Sequence, residues 1–221
     1  MSARIAFFDM DHTLIGADCD VTWKEFAVAH GLADASALEE AARFTAAYDA
    51  GTLVVEDFLR FQWKEFSGRT VEEVESLCRK HFEEKVRRFC RSAALDEVKK
   101  CRDSNMTVWV LTSTCRFLAA PVAQYFGADA LFAPEIEIRQ GLVSDRLQGL
   151  YPCGEGKVEA MLQIAGKVGA TPAECRAYGD SINDLPLLAA VGESFAVNPS
   201  AALKAEAEKR HWHILDWEKR K

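Results

Sequence analysis

No apolar run in this sequence approaches the roughly 20 residues that a membrane-spanning helix needs, and the earliest one, Ile5–Phe8, is too short for the core of a signal peptide. A membrane is therefore not an expected partner. Positive charge is also scarce. The chain has 27 Lys and Arg against 34 Asp and Glu, a net −7 with a pI near 5.3, which disfavours nucleic acid or an anionic lipid surface as the main ligand. The basic runs that do occur, KVRRFCR (85–91) and KRK (219–221), read as a solvated helix face and a tail. The seven cysteines include no C-x-x-C pair and are odd in number. They are expected to be reduced thiols of a cytoplasmic protein, neither a disulfide framework nor a zinc site. Internal repeats and low-complexity tracts are absent.

What remains is an ordinary globular composition, 49% apolar and 28% charged over 221 residues, enough for one large or two smaller domains. Apolar residues leading into Asp9 predict a buried strand over 4–9. Residues 16–88 then show no convincing strand pattern. Within them, Ser36–Glu39 and Thr70–Glu73 have the Ser/Thr-x-x-Glu form of a capping box, and Val71, Val74, Leu77, Cys78, Phe82, Val86 and Phe89 recur at helical spacing. Phe58, Leu59, Trp63 and Phe66 do much the same. This segment reads as a helical domain, 16–88, inserted into a second domain made of 1–15 and 89–221. From about 92 onward helical patterns alternate with the short apolar runs TVWVL, ALF, CRAY and SFAV, the mark of an α/β protein with a parallel sheet covered by helices. EIEIRQGLVSDRL (135–147) alternates with period two around Gln140-Gly141 and predicts a small β-hairpin.

In such a sheet, ligands gather where strands end. Asp9 and Asp11 stand two apart, so in a strand they would point to the same side, with a divalent cation, a shared proton or water to compensate them. D-x-D-x-T is equally readable as a turn whose side chains cap amides. A calcium loop starting at Asp9 fails, because it would need glycine at Leu14 and glutamate at Asp20. Thr112-Ser113-Thr114 ends the run Val108–Leu111, where a hydroxyl either binds a phosphate oxygen or caps the next helix. Gly179-Asp180-Ser181-Ile182-Asn183-Asp184 carries three acidic or amide side chains that either cap a helix or coordinate a cation, and Pro186 suits a first helical turn. Lys157 follows Gly154-Glu155-Gly156 at a helix start, where a lysine opposes the macrodipole unless an anion is near. A nucleotide-binding P-loop is ruled out there by Tyr151 and Val158, which stand where it needs glycine and a hydroxyl.

Together these four stretches resemble, in order, the motifs of the haloacid dehalogenase superfamily of phosphatases. The likeness runs from residue 5 to about 200, and the helical insert is similar to the C1 cap of the branch that contains phosphoserine phosphatases. It implies a Rossmann-like core with an inserted helical C1 cap. It further implies that Asp9 is the nucleophile forming an aspartyl phosphate, and that Asp11 is the acid for the leaving group and then the base for water. Mg²⁺ would be held by the Asp9 carboxylate, the Asp11 backbone carbonyl and Asp180, with Asp184 in support. Thr112, with Ser113 beside it, and Lys157 would meet the phosphoryl oxygens, and Asn183 would position them. An acid at Asp11 favours phosphate monoester hydrolysis within the superfamily. Asp18 and Arg60 could meet the amine and carboxylate of an amino-acid phosphate. The alternatives are that Arg60 is a solvated helix residue and that Asp18 or Asp20 caps the next helix. The stretch TSTCRFLAAPVAQYFG lacks the two glycines of phosphoserine phosphatases after Thr112 and looks more like histidinol-phosphatase-like relatives. The expectation is a Mg²⁺-dependent, cytoplasmic hydrolase of a small phosphorylated metabolite. Phosphotransfer to another acceptor, or a regulator that binds phosphate esters without turnover, stays open.

Overall fold

The computed structural model describes residues 4–49 and 52–218, so the KRK run lies outside the described residues. β1 (Ile5–Phe8) is buried at all four positions, as an apolar run without alternation must be when helices cover both faces of a sheet. Four helices follow: α1 (Cys19–Ala29), α2 (Ser36–Asp49), α3 (Val55–Trp63) and α4 (Val71–His81). The chain then runs through α5 (Ser92–Asp103), β2 (Thr107–Leu111), α6 (Arg116–Phe126) and β3 (Ala130–Phe132). A hairpin of β4 (Glu135–Arg139) and β5 (Leu142–Gln148) comes next. It is followed by α7 (Glu155–Lys167), β6 (Cys175–Gly179), α8 (Leu185–Ala190), β7 (Glu193–Val197), α9 (Ala201–Lys209) and β8 (His213–Leu215). Six strands form one sheet in the order β3-β2-β1-β6-β7-β8, with every neighbouring pair parallel. The order reverses at β1, and a crevice opens at that switch point, outside the carboxyl ends of the strands.

One face of the sheet carries a ladder of rings on register partners. Phe8 stacks on Tyr178 at 4.1 Å, Tyr178 on Phe195 at 4.5 Å and Phe195 on His213 at 4.8 Å. Such offset-stacked pairs add to the burial of their area. The other face packs Ile5, Phe7 and Leu111 against Met161, Leu188 and Leu203.

The expected capping box forms at Thr70 and Glu73. At Ser36 the expectation needs correction, since Ser36 is itself the first helical residue of α2 and not the residue ahead of it. The hairpin turns on Gln140 and Gly141, both with left-handed backbone (φ 53° and 81°), as a tight two-residue turn matching the strand twist requires. It also pairs outward: Gly68 N–H donates to the Val143 carbonyl at 2.9 Å, and Val143 N–H to that of Arg69 at 2.8 Å, tying it to the connection between α3 and α4. The chain segments on either side of the four helices run antiparallel, with Gly16 N–H donating to Phe89 O at 2.9 Å and Arg91 N–H to Leu14 O at 3.1 Å. Arg91 therefore departs from the solvated face expected of residues 85–91. Its side chain is nearly buried, and its Nη2 donates to His12 O at 3.3 Å.

Among the four helices, Lys24 is wholly buried, and its Nζ donates to Glu65 Oε2 and to the Phe61 carbonyl, both at 2.6 Å. Trp23 Nε1 donates to the same carboxylate oxygen at 3.1 Å, so this buried charge is fully paired. All seven cysteines are free thiols. No helix among the described residues is long and apolar enough to cross a membrane.

Candidate active site

Asp9 directly follows β1, and its N–H still donates to Tyr178 O at 2.9 Å, so the carboxylate emerges where the strand ends. The chain then makes one wide turn over Met10–Leu14, closed by Ile15 N–H to Met10 O at 3.1 Å, with His12 at φ 56°. That turn breaks the period of two on which side-by-side aspartates depended. The Asp11 carboxylate is held instead by the Cys19 N–H at 2.8 Å and the Thr114 hydroxyl at 2.6 Å, so the two acids have separate partners.

The lysine finds its anions within the protein. Lys157 lies in the first turn of α7, 4% exposed, and its Nζ donates to Asp9 Oδ1 at 2.7 Å and Asp184 Oδ1 at 2.5 Å. Gly156 permits this entry, because a Cβ there would stand 2.3 Å from the Tyr151 carbonyl oxygen. The other oxygen of Asp184 accepts the N–H groups of Asp180 at 3.1 Å and Ser181 at 3.2 Å. Gly179 is needed beside it, since a Cβ would meet Asp184 Cγ at 2.5 Å. Of the two uses predicted for this loop, the cap is formed: Ser181 and Asp184 make a capping box, with Pro186 in the first turn of α8. Asp180 in turn accepts the Thr13 hydroxyl at 3.1 Å.

One carboxylate oxygen each from Asp9, Asp180 and Asp184 lie within 4.8 Å of one another. Three hard oxygen donors in that space suit Mg²⁺ or another hard divalent cation. Asp11 is outside this trio of side chains, and its expected contribution was a backbone carbonyl. Burial raises the Asp9 carboxyl to about 6, with Lys157 pulling the other way, and raises Asp180 to about 9, helped by the charges of Asp9 and Asp184. Asp11 is raised well above the usual carboxylate range, first by burial and then by Asp18. Burial alone would lower the Lys157 ammonium, but Asp184 and Asp9 outweigh it and hold the group above its usual range. In the protein alone, then, the site is short of positive charge.

Above these groups lies a cavity of about 290 Å³, at the small end of the range for metabolite sites. The strand ends and the helices after β1 both line it. Asn183 Nδ2 donates to the Tyr48 hydroxyl of α2 across this cavity. Ser113, Asn183 and Asp18 reach its wall, and Asp18 also caps α1 by accepting the Val21 N–H at 2.9 Å. Thr112 does not reach the wall. It is buried and its hydroxyl accepts the Thr114 N–H at 3.1 Å, so it shapes the loop that presents Ser113 and Thr114. Arg60 is likewise not brought to the site. Its side chain is 66% exposed on the outer side of α3, 3.9 Å from Asp57, the solvated reading left open by the sequence. Thr13 and Thr114 belong to stretches the sequence singles out but were not assigned roles. Tyr48, Gln62 and Asp20 also line the cavity, and no chemical motif in the sequence singles out Tyr48 or Gln62.

The family model for haloacid dehalogenase-like hydrolases matches residues 6–189. A histidinol-phosphatase of Neisseria meningitidis is 30% identical over 219 residues, covering 97% of this chain and 99% of that protein. A phosphoserine phosphatase of Mycobacterium tuberculosis is 32% identical over 150 residues, which is 68% of this chain and 49% of the relative. A solved structure of a protein of unknown function from Bordetella pertussis Tohama I superposes with a TM-score of 0.88 at 30% identity, covering 98% of this chain and 100% of that one. With a match that spans both acidic clusters and the lysine, the chain belongs to the haloacid dehalogenase-like hydrolase family, among its phosphatases with a helical insert after the first strand.

Proposed function

We propose that this chain hydrolyses phosphate monoesters of small metabolites with the help of a divalent cation, through an aspartyl phosphate on Asp9. The observation that carries the reading is the Lys157 ammonium seated between Asp9 and Asp184, with Asp180 alongside and a cavity above. When bound, Mg²⁺ would neutralise charge on the phosphoryl oxygens, held by Asp9, Asp180 and Asp184 and by the backbone carbonyl of Asp11.

The protein's own groups divide the remaining work. The free oxygen of Asp9 attacks phosphorus while Lys157 offsets charge on the transferring group. Burial keeps a proton on Asp11, and its two hydrogen bonds orient it to deliver that proton to the departing alcohol oxygen. Once deprotonated, Asp11 takes a proton from the water that cleaves the acyl phosphate. Ser113 and Asn183 flank the phosphoryl position from the cavity wall.

The helical segment 16–88 acts as the cap over this site, and 1–15 with 89–221 as the catalytic core. Free thiols throughout support a reducing compartment such as the cytoplasm. The relatives' names point to phosphoserine and histidinol phosphate as the first substrates to try. The test is phosphate release from a panel of phosphorylated metabolites with Mg²⁺. Activity that disappears on chelation and in Asp9→Asn is the expected result. Equal turnover by Asp9→Asn refutes the reading.

A further inference from the structure

The cavity wall carries information about the alcohol that leaves. Among the described residues lining it, Lys157 is the only lysine or arginine, and that ammonium is committed to Asp9 and Asp184. Deeper toward α1 the wall presents Asp18 and Asp20. Asp18 caps its helix with one oxygen, and the Asp20 carboxylate makes no hydrogen bond to another described residue. Burial, and then Asp18, push Asp20 up to about 8 against the pull of Lys24, so the cavity wall holds an acid that a neighbouring cation would ionise.

Acidic residues alone say little about a ligand, but a second observation stands beside them. Gln62, 4% exposed and on the same wall, has a side-chain oxygen with no donor. An unpaired buried amide oxygen is costly, and the last torsion of a glutamine turns easily, so a ligand N–H can satisfy it. Phe44 and Phe58 supply flat apolar surface between these polar groups.

We propose that the site selects the phosphate ester of an amino alcohol that has no carboxylate, with its ammonium at Asp18 and Asp20 and a second N–H donor at Gln62. An α-carboxylate in this cavity would face several carboxylates and no lysine or arginine besides the committed Lys157, because Arg60 is exposed on α3 and does not line the cavity. Histidinol phosphate has the required ammonium, ring N–H and missing carboxylate. Ethanolamine phosphate has only the ammonium, and phosphoserine adds the carboxylate. The inference rests on the phosphatase reading above.

The experiment compares kcat/KM of the full chain with Mg²⁺ on these three esters and on p-nitrophenyl phosphate, which reports the chemistry without the recognition. Histidinol phosphate is expected to exceed phosphoserine by at least about 10-fold, with ethanolamine phosphate between them. Asp20→Asn and Gln62→Leu should each lower the ratio of kcat/KM for histidinol phosphate to that for p-nitrophenyl phosphate by about 10-fold or more. Phosphoserine turned over as well as histidinol phosphate, with p-nitrophenyl phosphate still cleaved, overturns the inference and leaves the phosphatase reading standing. An unchanged ratio in both variants overturns the assignment of Asp20 and Gln62. No phosphate released from any of the four esters overturns both.

Discussion

Lys157→Met removes an ammonium whose two contacts, at 2.7 and 2.5 Å, are each worth about 6 kcal/mol in gross Coulomb energy at an effective dielectric near 20. Desolvation consumes much of that. The net cost of leaving buried carboxylates without their cation is about 3–5 kcal/mol of folding stability. Methionine matches the lysine side chain in length up to the terminal nitrogen, so lost packing contributes little. A divalent cation bound to the same carboxylates should recover part of the loss, and the variant should gain more stability from added Mg²⁺ than the wild type does. Catalysis should fall by about 10²- to 10³-fold in kcat, the scale for losing a donor to developing charge. The pH dependence should move too. Lys157 is the main influence opposing burial at Asp9, whose carboxyl stands near 6, so its removal raises that group and shifts the acid limb of the rate profile to higher pH. The assay is p-nitrophenyl phosphate turnover from pH 5 to 8, paired with urea unfolding with and without Mg²⁺. A Lys157→Met enzyme with kcat within about threefold of wild type would refute the assignment of this ammonium to the transferring phosphoryl group.

Other consequences are accessible to the same protein. Asp11→Asn should lower kcat on alkyl phosphates by about 10²- to 10⁴-fold, whereas p-nitrophenyl phosphate, whose leaving group needs no proton, should give a stoichiometric burst followed by slow turnover. Lys24→Met should cost about 3–5 kcal/mol in chemical denaturation by stranding Glu65, and the double variant Lys24→Met/Glu65→Gln, which keeps an acceptor for Trp23 Nε1, should recover part of it. Burial lowers His81 to about 4 from 6.5, so between those values the unfolded chain binds the extra proton and stability is lost as pH falls. That term amounts to about 3 kcal/mol, and a stability profile of His81→Gln from pH 7.5 to 4 should be correspondingly flatter.

The strands TVWVL and ALF were legible to the residue, because each is a short apolar run set between turn-forming or polar residues, Ser104-Asn105 and Thr112 for the first, Asp129 and Pro134 for the second. The hairpin was legible from its alternation and its Gln-Gly turn. Less could be read of the site. The chain makes a wide turn over Met10–Leu14, with His12 left-handed directly after Asp11, and no propensity argument reveals that Asp9 and Asp11 thereby gain separate partners. Arg60 does not line the cavity, because α3 leaves its side chain exposed, an outcome set by packing among helices. Tyr48 and Gln62 are invisible to motif reading for the same reason. They reach the cavity only once α2 and α3 are laid over the strand ends.

The central claim is that phosphorus becomes bonded to Asp9. Acid quenching during turnover, borohydride reduction of the acyl phosphate and peptide mass analysis test it directly. With Asp9 as nucleophile, Asp9 is reduced to homoserine, and only when substrate is present. A reduced residue at any other aspartate, or turnover with Asp9 unmodified at every quench time, would contradict it.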